Sequence, residues 1–96
     1  MQVYYGEGRL YGNTGVYVAE QAQDAWDAER LIRNATATKE QVRLPKLVKV
    51  APESEEAMYN VLESADDPTL RKRAYKLGYG VVFFEFADMS DFEIAT

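Results

Sequence analysis

The chain contains neither cysteine nor histidine. Without cysteine it has no disulfide, no thiolate nucleophile and no cysteine-ligated metal. Without histidine it lacks the side chain that most often acts as a general base near neutral pH, and also the commonest ligand of transition metals. Any catalysis would therefore depend on carboxylates, tyrosine, serine, threonine, lysine or arginine, and we expect no metal site.

Long apolar runs and the usual nucleotide-binding motifs are missing as well. No apolar run approaches the length that crosses a membrane, and Met1-Gln2-Val3 does not begin a signal peptide, so we expect a cytoplasmic protein without membrane contact. There is no Gly-Lys-Ser/Thr phosphate loop, dinucleotide fingerprint, zinc pattern or nucleophile elbow. Gly6-x-Gly8 has no third glycine and no following helix, which makes it a very weak nucleotide signal.

The composition predicts one folded, acidic domain. With 96 residues, of which 47% are apolar and 28% charged, the chain is long enough for a single globular domain spanning 1–96. Sixteen acidic residues against eleven basic ones give a net charge of −5. This charge argues against direct nucleic-acid binding. It is compatible with a protein partner that has a basic surface, although the simpler interpretation is a charge that serves only solubility.

The N-terminal third predicts two strands separated by glycines. Val3 to Tyr5 form a strand that Gly6 and Gly8 end, and a Gly-rich turn leads into a second strand over residues 16–19. Four of the seven tyrosines lie before residue 18. They either line a ligand face or are half-buried strand residues with hydrated hydroxyls.

An amphipathic helix follows over about Gln21 to Arg33. Its helical spacing places five residues on one apolar side: Ala22, Ala25, Trp26, Ala28 and Ile32. Trp26, the only tryptophan, is predicted to anchor the core. The opposite side carries two charge pairs at helical spacing, Asp27–Arg30 and Glu29–Arg33.

The C-terminal two thirds alternate between predicted loops, strands and helices. Residues 34–39 read as a loop, and residues 42–50 as an edge strand, or two strands meeting at a bulge, because Pro45 cannot donate to a ladder. Residues 52–65 predict a second helix. A third helix would begin at Pro68, face inward with Leu70, Ala74 and Leu77, and stop at Gly78. Residues 81–86 predict a central strand, and residues 92–95 a short last one.

These elements predict an α+β fold, a small, mostly antiparallel sheet with about three helices in the order β-β-α-β-α-α-β-β. We expect a single buried cluster formed by Trp26, Leu62, Leu77, Val82 and Phe84.

Four carboxylates lie close together near the end of the sequence: Glu85, Asp88, Asp91 and Glu93. If these carboxylates are functional, they would form an acid/base pair, a divalent-cation site or a contact for a basic partner. If their role is only structural, they would form the solvated face and the turn of a hairpin.

Three pieces of the chain resemble ADP-ribosyltransferase-like domains, and some compact phage anti-CRISPR proteins look similar. The pieces are the tyrosine-bearing first strand, GVYVAEQAQDAWDAE at 15–29, and LGYGVVFFEF at 77–86 followed by the acidic SDFEIA. The resemblance implies that Tyr17 stacks on nicotinamide and that Asp91 or Glu93 stabilises the oxocarbenium-like ribose. Tyr4 or Tyr5 then stands where one branch of the family has histidine, and Arg9 is a distant substitute for the arginine of the other branch.

Three functions are compatible with this pattern. The first is a small acidic protein that binds another protein, such as a phage or mobile-element inhibitor, with Asp88, Asp91 and Glu93 meeting a basic partner and no cofactor. The second is an active mono-ADP-ribosyltransferase that binds NAD through Tyr5, Arg9 and Tyr17 and uses Asp91 and Glu93 as catalytic acids. The third is a non-catalytic accessory subunit. The missing histidine and the acidity favour the first.

Overall fold

The computed structural model describes residues 4–49 and 73–85, which form one antiparallel sheet and one helix. The elements are β1 (Tyr4–Leu10), β2 (Asn13–Ala19), α1 (Ala25–Thr36), β3 (Arg43–Lys49), β4 (Arg73–Gly78) and β5 (Val81–Glu85). The strand order is β3-β1-β2-β5-β4, and every neighbouring pair is antiparallel. As predicted, β3 lies at an edge of the described sheet and β5 lies inside it. Among the described residues, no helix is both long and apolar enough to cross a bilayer.

The predicted order with about three helices is wrong, because the segment assigned to the end of a third helix is strand β4. Its side chains alternate, with Ala74 and Lys76 exposed and Tyr75 and Leu77 half-buried. An alternation of exposed and half-buried side chains every two residues is typical of a strand that packs one face against a core. Gly78 has a φ of +93° and leads into the β4–β5 turn instead of ending a helix. The predicted helix over 52–65 and strand over 92–95 lie outside the described residues.

The predicted end of the first strand at Gly6 and Gly8 is also wrong, because β1 continues through both to Leu10. A Cβ on Gly8 would lie 2.6 Å from the Tyr17 ring, and one on Gly15 would collide with the ring of Phe83. These glycines therefore leave space for aromatic rings that lie flat against the backbone.

Helix α1 begins later than predicted and extends into the predicted loop. Asp24 is its N-cap and accepts a hydrogen bond from the Asp27 amide at 2.7 Å, while the Asp27 carboxylate accepts one from the Gln23 amide at 3.2 Å. This reciprocal arrangement resembles a capping box. Both predicted ion pairs form: Arg30 lies 2.6 Å from Asp27, and Arg33 lies 2.7 Å from Glu29.

The helix packs on one face of the sheet through a narrower stripe than predicted. Ala28, Ile32 and Ala35 are buried, whereas Trp26 is 72% exposed and does not belong to the core. Trp26 lies two residues before Ala28, about 200° around the helix, so it points away from the sheet. Beneath the helix, the main buried cluster consists of Leu10, Tyr17, Ile32, Ala35, Val81 and Phe83.

The opposite face of the sheet also buries apolar side chains. Val82 and Phe84 alternate with the helix-facing residues of β5 and are 7% and 6% exposed, so their predicted burial is confirmed. Leu77 packs, partly buried, against the helix-side cluster. The predicted single cluster is therefore divided between the two faces, and Leu62 lies outside the described residues.

Candidate functional site

The outer face of β1, opposite α1, carries the alternating residues Tyr5, Glu7 and Arg9. Antiparallel pairing places Arg43 of β3 and Thr14 of β2 on either side of Arg9. The same pairing places Lys46 opposite Glu7. The register between β1 and β3 shifts between Glu7 and Arg9. This shift lets Arg43 and Lys46, an odd number of positions apart, both lie beside β1 residues of the outer face.

These side chains line an open hollow of about 470 Å³, which we call the β1–β3 cleft. Its described lining consists of Tyr5, Gly6, Glu7, Gly8, Arg9, Thr14, Arg43, Leu44 and Lys46. Three of these residues are cationic and one is acidic, although the whole chain carries a net charge of −5. The described lining is therefore locally positive on an acidic protein and suited to an anion.

Arg9 and Arg43 are directly opposite each other in the ladder. Side chains in that relation have Cβ atoms about 4.5–5.5 Å apart, and like charges there destabilise the sheet. Within residues 4–49 and 73–85, neither guanidinium forms a salt bridge, whereas Arg30 and Arg33 on α1 both do. The two adjacent arginines thus keep their donors available, which is an arrangement that an incoming anion would stabilise.

Tyr5 and Leu44 give the cleft its apolar surface. Tyr5 is half-buried. Burial, and next the Glu7 carboxylate, raise the pKa of its phenol, so the hydroxyl is neutral at physiological pH. Leu44 is 38% exposed at the rim. A ligand in the cleft would meet charged donors at one end and apolar surface beside them.

Tyr17 lies on the other face of the sheet, inside the core. Its ring centroid is 4.7 Å from that of Phe83, and its hydroxyl donates a hydrogen bond of 2.5 Å to the Arg9 carbonyl oxygen. Burial raises its pKa to about 12. Of the three predicted cofactor-binding residues, the structure brings Tyr5 and Arg9 together in the cleft and places Tyr17 behind the sheet, where it does not reach that cleft.

Of the four carboxylate residues that lie close together near the end of the sequence, only Glu85 is among the described residues. Glu85 is 6% exposed and accepts a hydrogen bond from the Tyr75 hydroxyl at 3.0 Å. It is therefore part of the packed sheet and not of a solvated turn. Asp88, Asp91 and Glu93 lie outside the described residues, so their proposed roles as catalytic acids or as contacts for a basic partner stay predictions.

A second, smaller hollow of about 250 Å³ lies on the exposed side of α1, and its described lining consists of Trp26, Glu29, Arg30, Arg33 and Asn34. Its two arginines already bind carboxylates on the same helix. Its charges are thus largely neutralised within the helix, and it offers an anion less than the β1–β3 cleft does.

Among the residues that line the cleft, Tyr5 and Arg9 are predicted from the sequence only as NAD-binding residues, whereas Glu7, Thr14, Arg43 and Lys46 are not predicted as site residues. The alternation of Tyr5, Glu7 and Arg9 would have revealed the outer face if the strand had been continued through the glycines. The contribution of β3 depends on a pairing between segments more than 30 residues apart in sequence, which no local pattern encodes.

Comparison of the chain with known protein families, curated proteins and solved structures finds no significant match. The resemblance to ADP-ribosyltransferase-like domains stays a prediction.

Proposed function

We propose that this protein acts by binding another protein, and that the β1–β3 cleft makes the contact. The observation that carries the proposal is the pair Arg9 and Arg43, adjacent across the ladder and without salt bridges among the described residues. A binding surface that holds unpaired like charges is stabilised when a complementary partner arrives.

The composition of the cleft suits a protein partner. It combines cationic side chains with the half-buried Tyr5 and the exposed Leu44, and arginine and tyrosine are enriched in protein interfaces. The cleft lies along β1 and β3, the edge strand of the described sheet, so an extended segment bound in it would lie alongside these two strands. A nucleic acid is a poorer fit, because many phosphates would meet a chain with a net charge of −5.

The test is affinity capture from a lysate of the cells that express the protein, with three baits. They are the unaltered chain, the cleft variant Arg9→Glu/Arg43→Glu, and the control variant Arg30→Glu/Arg33→Glu, which makes the same change of charge on α1. We expect at least one protein to be captured by the unaltered chain and by the control but not by the cleft variant. Circular dichroism of each bait checks that it is folded.

If every captured protein also binds the cleft variant equally well, the cleft is not the interface and the proposal is wrong. Hydrogen exchange of the purified complex gives an independent measurement. Binding should slow amide exchange in residues of β1 and β3 more than in α1, because the partner covers those strands.

A further inference from the structure

We infer that the row formed by Arg43, Arg9 and Thr14 binds a phosphoryl group, carried on a phosphorylated serine or threonine in an extended segment of the protein partner. This inference rests on the proposed function, since it names the group that the β1–β3 cleft recognises. The three residues come from three neighbouring strands and occupy one line across the sheet.

Charge decides between a phosphoryl group and a carboxylate. A phosphomonoester carries a charge of about −1.5 to −2 at neutral pH, whereas a carboxylate carries one negative charge. The two guanidinium groups of Arg9 and Arg43 together carry two positive charges, and neither has a salt bridge among the described residues. A phosphoryl group would neutralise both, while a carboxylate would leave one arginine facing its like-charged neighbour.

Geometry supports the same choice. Guanidinium groups bind phosphate oxygens through two parallel hydrogen bonds, and a phosphoryl group offers three terminal oxygens. Two arginines and the Thr14 hydroxyl, in one row, supply donors for all three oxygens. Lys46 lies in the next row, where Glu7 directly opposes it, so its charge is already partly balanced and it is less suited to the same anion.

The surroundings favour a phosphorylated peptide over other phosphates. Tyr5 and Leu44 offer apolar surface beside the row, which the residues flanking a phosphoserine would use and a free phosphate ion would not. An oligonucleotide would bring further phosphates that only Lys46 among the described lining residues remains to meet, and it would approach an acidic protein.

The experiment measures binding of the full chain to three fluorescent pools of degenerate nonapeptides, with phosphoserine, serine or glutamate at the central position. We expect the phosphoserine pool to bind roughly tenfold or more tighter than the other two, because charge-assisted hydrogen bonds to two arginines are lost without the phosphoryl group. Equal binding of the phosphoserine and glutamate pools would overturn the inference.

Variants locate the site. Arg9→Gln and Arg43→Gln should each remove most of the preference for phosphoserine, Thr14→Val should reduce it by less, and the control Arg33→Gln should leave it unchanged. Since Arg9 and Arg43 are exposed, their replacement should leave the melting temperature at or above that of the unaltered chain. A preference that survives in both arginine variants would contradict the assignment.

Competition separates the possible sources of phosphate. Inorganic phosphate and a single-stranded oligonucleotide, at matched ionic strength, should each displace the phosphoserine pool only at much higher concentration than an unlabelled phosphopeptide pool does. Displacement by either at equal concentration would replace the peptide with a free anion or a nucleic acid as the ligand, and the inference would be wrong.

Phosphatase treatment distinguishes failure of this inference from failure of the proposed function. If lysate treated with a phosphatase no longer yields the cleft-dependent protein, both stand. If the cleft-dependent protein is still captured after treatment, the cleft binds a partner without a phosphoryl group, so the inference is wrong while the proposed function remains.

Discussion

The sharpest test of the fold compares two aromatic residues that sequence reasoning and structure rank differently. Trp26, predicted as a core anchor, is 72% exposed on the outer side of α1, whereas Phe83 is fully buried. The Phe83 ring contacts Tyr17 and Tyr75, with centroids 4.7 Å and 6.2 Å away. We therefore expect Phe83→Ala to be severe and Trp26→Ala to be mild.

The magnitudes follow from the buried area. A fully buried phenylalanine truncated to alanine loses its transfer free energy and leaves a cavity, which costs about 3–5 kcal/mol. Little more than a quarter of Trp26 is covered, on the order of 60 Å² for a large aromatic side chain, which is worth at most about 1.5 kcal/mol. Alanine is also the better helix former by about 0.5 kcal/mol. The net cost of Trp26→Ala should thus be about 1 kcal/mol or less.

The assay is urea unfolding followed by far-ultraviolet circular dichroism, which does not depend on the tryptophan. Phe83→Leu, with a smaller loss, covers the case in which Phe83→Ala does not fold. In the unaltered protein, Trp26 fluorescence should resemble that of indole in water, be quenched readily by iodide and shift little on unfolding. Blue-shifted emission together with a loss of 3 kcal/mol or more in Trp26→Ala, the size of a core truncation, would refute this placement of the helix.

Three further predictions follow from packing and ionisation. Gly15→Ala should destabilise the protein by about 1–3 kcal/mol or more, as measured by urea unfolding, because its new methyl group would collide with the Phe83 ring and the neighbouring backbone. The hydrogen bond from Arg30, and next that from the Gln23 amide, lower the pKa of Asp27 from its usual 3.8. The contribution of the Asp27 carboxylate to the stability of the fold is therefore present above that pH and lost as the pH falls below it. Melting temperatures measured in acid should fall less steeply with pH in Asp27→Asn than in the unaltered protein. Burial raises the pKa of Tyr17 from 10.0 to about 12. The contribution of its neutral phenol to the stability of the fold is therefore complete below pH 10.0 and lost as the pH rises through about 12. Melting temperatures in alkali should fall less steeply in Tyr17→Phe.

The helix shows how far local patterns reach. Its existence, its two ion pairs and the burial of Ala28 and Ile32 follow from helical spacing alone. The same spacing puts Trp26 about 200° from Ala28, on the exposed side, so the prediction that it anchors the core is wrong because it followed hydrophobicity instead. The N-cap at Asp24 fixes where the helix begins. The angle between Trp26 and Ala28 then puts the indole outside.

Strands β1 and β4 differ from the elements that the sequence predicts for a different reason. Glycine within a strand reads locally as an end, yet at Gly8 the space is filled by Tyr17 from the neighbouring strand. In β4, a run rich in lysine and arginine after a proline predicts a helix, but pairing with β5 over five register positions makes it a strand. In both cases a tertiary contact overrides the local preference.

The face that carries the cleft depends on the core behind it. The Tyr17 ring lies against Gly8, and its hydroxyl holds the Arg9 carbonyl from the side of the sheet opposite the Arg9 side chain. Tyr17 is thus placed to fix the backbone at the residue that we assign to anion binding, without touching the cleft itself. Its role there is that of a positioning residue.

We therefore expect Tyr17→Phe, which keeps the ring and removes only the hydroxyl, to weaken binding of the phosphoserine peptide pool by a few-fold. Loss of one neutral hydrogen bond is worth about 1 kcal/mol, and only part of that would reach the site. Tyr75→Phe is the matched control, since it removes a hydroxyl that bonds Glu85, away from the cleft. If Tyr17→Phe lowers stability but leaves the affinity for the pool as high as in Tyr75→Phe, the Tyr17 hydroxyl only stabilises the sheet and does not position Arg9. If affinity falls only in Tyr17→Phe, and the amide of Arg9 also exchanges faster with solvent, the loss originates in the backbone at Arg9.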